Sequence, residues 1–147
     1  MVNIRVMAIA DYGQVYGLWR DTPGMGLNTL DDSQAGIEKY LRRNPTTCFV
    51  AEDGGALVGA VLAGHDGRRG YIYHTAVLPG YRNQGIARGL VSHAIEALDK
   101  EGINKAALVV FKRNEGGNGF WEKLGFTGRG DLVYRDKGIR ELVRIDT

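Results

Sequence analysis

The sequence predicts an α+β fold in which a mixed, mostly antiparallel central sheet is flanked by helices on both faces. Three short β-branched segments separated by tight turns occupy the middle of the chain, one long segment follows with helical periodicity, and strands and helices alternate towards both ends. With 147 residues and 44% apolar composition, the chain can bury the core of one domain covering residues 1–147.

The amino-terminal third predicts one strand and two helices. Residues Ile4 to Ile9 form the strand, and a helix capped near Ala10-Asp11 follows it. The segment from Asp21 to Thr29 is rich in turn residues and is a loop. A second helix starts at Asp32-Ser33 and stops at Asn44-Pro45. The residues expected to face inward from these helices are Val15, Leu18, Trp19, Ile37, Tyr40 and Leu41.

The middle of the chain predicts three strands in succession. Thr47 to Glu52 and Leu57 to Gly64 are apolar runs on either side of Asp53-Gly54-Gly55, which indicates a hairpin. The strand from Tyr71 to Val77 follows a second turn at Asp66-Gly67. These three strands account for the antiparallel part of the predicted sheet.

The remainder of the chain begins with the clearest helix. It starts at Gly85 and ends at Gly102, and its apolar stripe consists of Ile86, Leu90, Val91, Ala94, Ile95 and Leu98. A strand from Lys105 to Phe111 and a helix from Glu115 to Leu124 come next. A final hairpin joins Leu132 to Tyr134 with Ile139 to Ile145.

Composition and charge narrow the functional classes. Nineteen basic and 17 acidic residues give a formal charge of +2, which favours neither a nucleic-acid partner nor a membrane surface. Cys48 is the single cysteine, so no internal disulfide forms, and no Cys/His spacing indicates a metal site. No window reaches the roughly 18 apolar residues of a membrane span, and no signal peptide is recognised. We expect a cytoplasmic protein.

The segment from Val77 to Ala87 carries the most functional information. A strand ends, a turn follows and a helix begins. The first turn of that helix has backbone N–H groups without partners and the positive end of the helix dipole, and both favour binding of an anion there. Gly85 lacks a Cβ, Ala87 is small, and Arg82 can add a charge-assisted hydrogen bond. The segment therefore predicts phosphate binding, with a capped amphipathic helix after a turn as the alternative interpretation.

The motif Arg82-Asn-Gln-Gly-Ile-Ala87 resembles the Arg/Gln-x-x-Gly-x-Gly/Ala signature of the GCN5-related N-acetyltransferase (GNAT) family. Val77-Leu-Pro, Asn114 and the segment from Phe120 to Phe126 also fall at the spacing of that family. The resemblance implies a GNAT-like acyl-CoA N-acyltransferase fold and acetyl-CoA as co-substrate, without a metal. It also implies a primary amine acceptor on a small molecule or peptide, and it leaves a homodimer open.

The same resemblance implies a set of cofactor-binding residues. Backbone N–H groups of the signature would hold the pyrophosphate, and the end of the preceding strand would pair with the pantetheine arm. Asn114, Phe120 and the nearby glycines 116, 117 and 119 would line the same groove. The complete predicted set is Ala76, Val77, Arg82, Asn83, Gln84, Gly85, Ile86, Ala87, Asn114 and Phe120.

The residues that transfer protons in related enzymes are replaced in this chain, so other residues must take that role. The family's frequent tyrosine acid corresponds to Trp121, and the glutamate base of the ribosomal-protein branch corresponds to Val109. We interpret Tyr73 and His74, on the strand that would hold the thioester, as catalytic candidates. Since successive side chains on a strand face opposite sides, only one is expected in the cleft. The alternative interpretation is a packed histidine and a strand aromatic.

Two classes of function remain open from the sequence. The first is an enzyme that transfers the acetyl group directly, because Cys48 has no neighbouring base and fits a buried structural thiol. The second is an acyl-CoA-binding sensor or degenerate transferase without efficient catalysis. Val109 and Trp121 would allow this, because they stand where related enzymes have a base and an acid. Acceptor contacts could come from Tyr12, Trp19 and the pair Asp31-Asp32, although packing and helix capping explain these residues equally well.

Overall fold

The computed structural model describes residues 1–146. Within that range there are five strands and four α-helices, and two short 3-10 turns cover Ile9–Asp11 and Pro79–Tyr81. The elements in chain order are β1 (Val2–Val6), α1 (Tyr12–Arg20), α2 (Gln34–Arg43), β2 (Phe49–Asp53), β3 (Ala56–His65), β4 (Gly70–Val77), α3 (Ile86–Lys100), β5 (Ala106–Ala107) and α4 (Glu115–Lys123).

The five strands form one sheet in the order β1-β2-β3-β4-β5. All neighbouring pairs are antiparallel except β4 and β5, which run parallel. Alternating side chains of the central strands pack against α1 and α2 on one face and against α3 and α4 on the other. The predicted α+β architecture, a mostly antiparallel mixed sheet with helices on both faces, is confirmed.

The start of α1 depends on a buried carboxylate. Asp11 accepts two hydrogen bonds from the guanidinium of Arg5, each at 2.9 Å, and a third from the backbone N–H of Ala8 at 2.8 Å. These bonds close the 3-10 turn before the helix, so β1 ends at Val6 instead of continuing to Ile9. Arg5 holds the pKa of Asp11 below its ordinary value.

The carboxyl-terminal part of the sheet differs from the prediction. The strand expected from Lys105 to Phe111 is regular only at Ala106–Ala107. The hairpin expected between Leu132–Tyr134 and Ile139–Ile145 does not form in the described residues, where the side chain of Ile139 is 94% exposed. A two-residue β5 offers too short an edge for further strands to pair with and to bury their apolar side chains.

The last residues contact the loop before α2 instead. Thr29 N–H donates to Val143 O and Ile145 N–H donates to Leu27 O, each at 3.0 Å. Leu27 N–H also donates to a carboxylate oxygen of Asp146 at 2.7 Å. This attachment fixes Leu27, which is fully buried, and with it the end of the 21–29 loop. No helix in residues 1–146 is both long and apolar enough to cross a membrane.

Candidate active site

A cavity of about 1250 Å³ lies where β4 and β5 separate. The two strands pair only at Gly70 with Ala106 and Tyr71 with Ala107, so in the described residues the edge of β4 from Ile72 to Val77 has no partner strand on this side. Residues 108–112 form the opposite wall. An open strand edge facing a cavity can accept backbone hydrogen bonds from an extended ligand. Ala76 and Val77, the residues expected to pair with the pantetheine arm, lie on this edge.

One end of the cavity is the start of α3. Gly85 is its N-cap residue, and the first bond within the helix runs from Gly89 N–H to Gly85 O at 3.0 Å. The N–H groups of Ile86, Ala87 and Arg88 therefore have no partner within the helix. Gly85 has φ of 80°, and a Cβ built there meets nothing within 4 Å. The glycine is required by its left-handed backbone, and the space above it is free for a ligand.

The Asp, Glu, Lys and Arg residues that border the cavity are all basic in the described part of the chain. The side chain of Arg82 donates from Nε to Val77 O at 3.0 Å, which holds the loop against the end of β4. No aspartate or glutamate among the described residues borders the cavity. The basic residues that border it are Arg82, Arg88, Lys112 and Lys123. Together with the helix dipole, they favour a polyanionic group.

Asn114 and its neighbours have a structural role as well. Asn114 Oδ1 accepts the N–H of Gly117 at 2.8 Å and caps α4, and a Cβ on Gly117 would lie 2.5 Å from Asn114 Nδ2. The cap thus explains Gly117 without a ligand. Asn114, Gly116, Gly117 and Phe120 border the cavity, whereas Gly119 is outside the lining that the described residues form. The expectation that all three glycines line the groove is therefore wrong for Gly119.

A β-bulge places both catalytic candidates beside the cavity. Thr75 pairs with Val61 and Ile72 pairs with Ala63, so Tyr73 and His74 together oppose the single residue Leu62. The extra residue interrupts the alternation of side chains along β4. Both Tyr73 and His74 border the cavity, with ring centroids 6.5 Å apart. Tyr73 packs on Tyr40 of α2 and His74 packs on Trp19 of α1, so both rings lie on the same face and the alternation on which the expectation of a single cleft-facing residue rested fails here.

His74 is held by a buried carboxylate. Its Nε2 lies 2.6 Å from Oδ1 of Asp32, and the side chains of the two residues are 12% and 6% exposed. The other carboxylate oxygen accepts the backbone N–H of Asn28 at 2.9 Å, and the carbonyl of Asp32 accepts the hydroxyl of Tyr12 at 2.6 Å. Trp19 packs edge-on against the imidazole at 4.8 Å.

This arrangement corrects the capping interpretation of Asp32. The residue that caps α2 is Ser33, whose hydroxyl accepts the N–H of Gly36 at 3.0 Å. The pair formed by Asp32 and His74 was missed because 42 residues separate them along the chain. The only local signal was an acidic residue at the end of a loop on the expected acceptor side.

Tyr73 lies in an aromatic cluster and is half exposed. Its ring is 4.6 Å from that of Tyr71 and 5.8 Å from that of Tyr40. Burial, followed by the neighbouring Tyr134 and Asp31, raises the pKa of Tyr73 above its ordinary value. The phenol consequently keeps its proton at neutral pH and can donate a hydrogen bond.

The remaining candidates carry no acid or base function in this geometry. Cys48 is buried, its thiol donates to Ala63 O at 3.2 Å, and burial raises the pKa of the thiol to about 12. Trp121 packs against Phe120 and Phe126 at centroid distances of 5.0 and 5.1 Å. Val109 is exposed on the cavity wall and has no titratable group.

Comparison with known proteins agrees with this arrangement. The sequence matches the family model described as "Acetyltransferase (GNAT) family" over residues 13–126. It is 34% identical over 125 residues to an acetyltransferase of Yersinia enterocolitica, YE1169, and the match covers 85% of this chain and 87% of that protein. The chain therefore belongs to the GNAT family, and it is an acetyltransferase by class.

Two solved structures share the fold. Ard1 from Thermoplasma volcanium superposes with a TM-score of 0.76 at 21% identity, covering 86% of this chain and 82% of that one. The PaiA N-acetyltransferase from Thermoplasma acidophilum, solved in complex with coenzyme A, gives a TM-score of 0.73 at 18% identity, covering 84% and 88%. At these identities the likeness concerns the fold, and it confirms the predicted GNAT-like architecture.

Proposed function

We propose that this protein transfers the acetyl group of acetyl-CoA directly to a primary amine of a small molecule or peptide. One observation carries the proposal: a single cavity joins the cation-lined start of α3, the free edge of β4 and the adjacent side chains Tyr73 and His74. A phosphate site, a slot for an extended arm and a proton-transfer pair are the parts that such a reaction needs.

The cofactor would use mainly backbone groups. In this proposal, the N–H groups from Arg82 to Ala87 bind the pyrophosphate, and Ala76 and Val77 pair with the pantetheine arm. Asn114 and Phe120 complete the groove from the side of α4. The coenzyme A complex of the Thermoplasma acidophilum PaiA enzyme, which has this fold, supports the choice of donor.

The chemistry follows from the two side chains on the bulge. As the amine nitrogen attacks the thioester carbon, His74 accepts one amine proton and the carbon–sulfur bond breaks. The phenol of Tyr73 donates a hydrogen bond to the departing thiolate, which its raised pKa allows because the proton stays on oxygen. The imidazolium then returns the proton to the thiolate or to water.

Release of free thiol from acetyl-CoA, measured with a panel of primary amines, tests the function. We expect thiol release that depends on the amine and rises towards alkaline pH, since amines with a pKa of about 10.4 react in the neutral form. A thermal melt with acetyl-CoA is run in parallel. A ligand that binds only the folded protein, present at 100 times its dissociation constant, raises the free energy of unfolding by about 2.7 kcal/mol. A shifted melt without thiol release for any amine would instead support the acyl-CoA sensor.

The parallel melt also tests the donor itself. No shift with millimolar coenzyme A or acetyl-CoA would contradict the cofactor assignment. A cytoplasmic location and a homodimeric state stay predictions from the sequence, and the same samples examined by gel filtration would test the second of them.

A further inference from the structure

The contacts of His74 distinguish its two ring nitrogens. Both oxygens of the Asp32 carboxylate receive hydrogen bonds, from His74 Nε2 and from the N–H of Asn28. An ionised carboxylate can only accept, so the hydrogen of the neutral imidazole belongs on Nε2. The lone pair is then on Nδ1.

Nδ1 is the nitrogen that a substrate can reach. Within residues 1–146 Nδ1 has no hydrogen-bond partner, and the atom keeps some exposure to solvent. Since His74 borders the cavity, this leaves Nδ1 as its accessible nitrogen. The other ring nitrogen, Nε2, is turned towards Asp32, which is only 4% exposed.

Asp32 is itself fixed on the acceptor side. Its contacts with Asn28 and Tyr12 join the loop before α2 to α1, and residues 22–26 of that loop border the cavity. The Tyr12 hydroxyl holds the backbone of Asp32, and the carboxylate lies between the N–H of Asn28 and the imidazole, with one oxygen on each. A carboxylate held in this way sets the tautomer of a catalytic histidine and stabilises the imidazolium that forms.

We infer that Asp32 is a positioning residue, which holds His74 in the Nε2–H tautomer so that Nδ1 receives the proton of the attacking amine. The inference rests on the proposed function. One proton moves from the amine nitrogen to Nδ1 as the carbon–nitrogen bond forms, and the carbon–sulfur bond breaks to release coenzyme A. The positive charge on the ring is then balanced by Asp32.

The test combines Asp32→Asn with nitrogen-15 NMR of the His74 ring. In the wild-type protein we expect a protonated Nε2 and an unprotonated Nδ1. In Asp32→Asn the amide can donate as well as accept, so this tautomer is lost and kcat falls roughly 100-fold or more. KM for acetyl-CoA and the melting shift that acetyl-CoA causes should stay unchanged.

Asp11→Asn is the matched control, because Asp11 is a buried carboxylate of similar exposure that pairs with Arg5 away from the cavity. It should lower the melting temperature while kcat and the His74 nitrogen signals stay as in the wild type. An Nδ1–H tautomer in the wild-type protein, or full kcat in Asp32→Asn, would overturn the inference. If Asp32→Asn does not fold, the wild-type tautomer alone decides.

The two proposals fail in different ways. If no amine supports thiol release by the wild-type protein, the proposed function fails even where the NMR signals show the expected tautomer. If thiol release is normal and the tautomer is Nδ1–H, the function stands and the role of Asp32 is wrong.

Discussion

The two ends of the cavity differ in the groups that form them: one end is mainly backbone, and the other is mainly side chains. The end proposed to bind the cofactor, called the cofactor end below, consists of backbone N–H groups at the start of α3 and of a free strand edge, all within residues 76–87. The end proposed to bind the acceptor, called the acceptor end below, consists of side chains from distant segments: Tyr73 and His74 on β4, Asp32 before α2, and the loop of residues 22–26. A site made of backbone groups keeps its function when a side chain changes, provided that the new side chain does not enter the ligand's space. A site made of side chains is expected to lose its function when one of them is substituted.

The largest expected effect is at the cofactor end. Gly85→Glu places a negative side chain in the open space above the start of α3, so binding of coenzyme A should be lost. Gly85→Ala is the control, because it imposes the same left-handed strain without the charge. Calorimetric titration with coenzyme A measures both variants. Normal binding by Gly85→Glu would refute the assignment of the phosphate site.

At the acceptor end, His74→Ala and Tyr73→Phe should each lower turnover by roughly 100-fold. Affinity for acetyl-CoA should change little, since neither side chain is part of the backbone site. Steady-state kinetics with a saturating amine and a thermal melt with acetyl-CoA separate the two effects. Full turnover in both variants would mean that the proton leaves through water alone.

A smaller effect is expected for Arg82→Ala. The side chain contributes one charge to the cofactor end, and the backbone donors remain after its removal, so affinity for coenzyme A should fall by about tenfold. The contact from Arg82 Nε to Val77 O is also lost, which should lower the melting temperature slightly. A complete loss of binding in the calorimeter would show that the cofactor end depends on side chains after all.

Asp11→Asn should leave both ends of the cavity unaffected and change only stability, by about 1 to 3 kcal/mol at neutral pH. Arg5 lowers the pKa of Asp11. The pair therefore stabilises the fold fully above the ordinary Asp value of about 3.9, and this contribution is lost as the pH falls below it. Urea denaturation of variant and wild type should converge in strongly acidic buffer. A constant difference at all pH values would contradict this account.

The same contrast explains what the sequence could predict. The proposed cofactor loop is contiguous, and its chemistry follows from a helix start and a left-handed glycine, so a phosphate site could be predicted there from the residues, and the family resemblance extended that prediction to Arg82 through Ala87. The pair of Asp32 and His74 depends on how two distant segments pack, and the bulge at Tyr73 depends on the register against β3. Local patterns contain neither kind of information.

The first nine predicted elements have counterparts in the structure, with their ends shifted by a few residues. The last hairpin was wrong for a related reason. Short apolar segments such as Leu132 to Tyr134 satisfy a strand pattern, but a strand also needs an edge to pair with, and β5 is two residues long. Pairing depends on the partner as much as on the segment itself.

The attachment of the last residues to Leu27 and Thr29 has a practical consequence for handling the protein. Removal of residues 143–146, or a bulky tag placed next to them, would release or displace the loop that carries Asn28 and borders the acceptor end. Such a protein should still bind coenzyme A while losing activity and acceptor selectivity. Purification through an amino-terminal tag, removed before assay, avoids mistaking that artefact for an inactive enzyme.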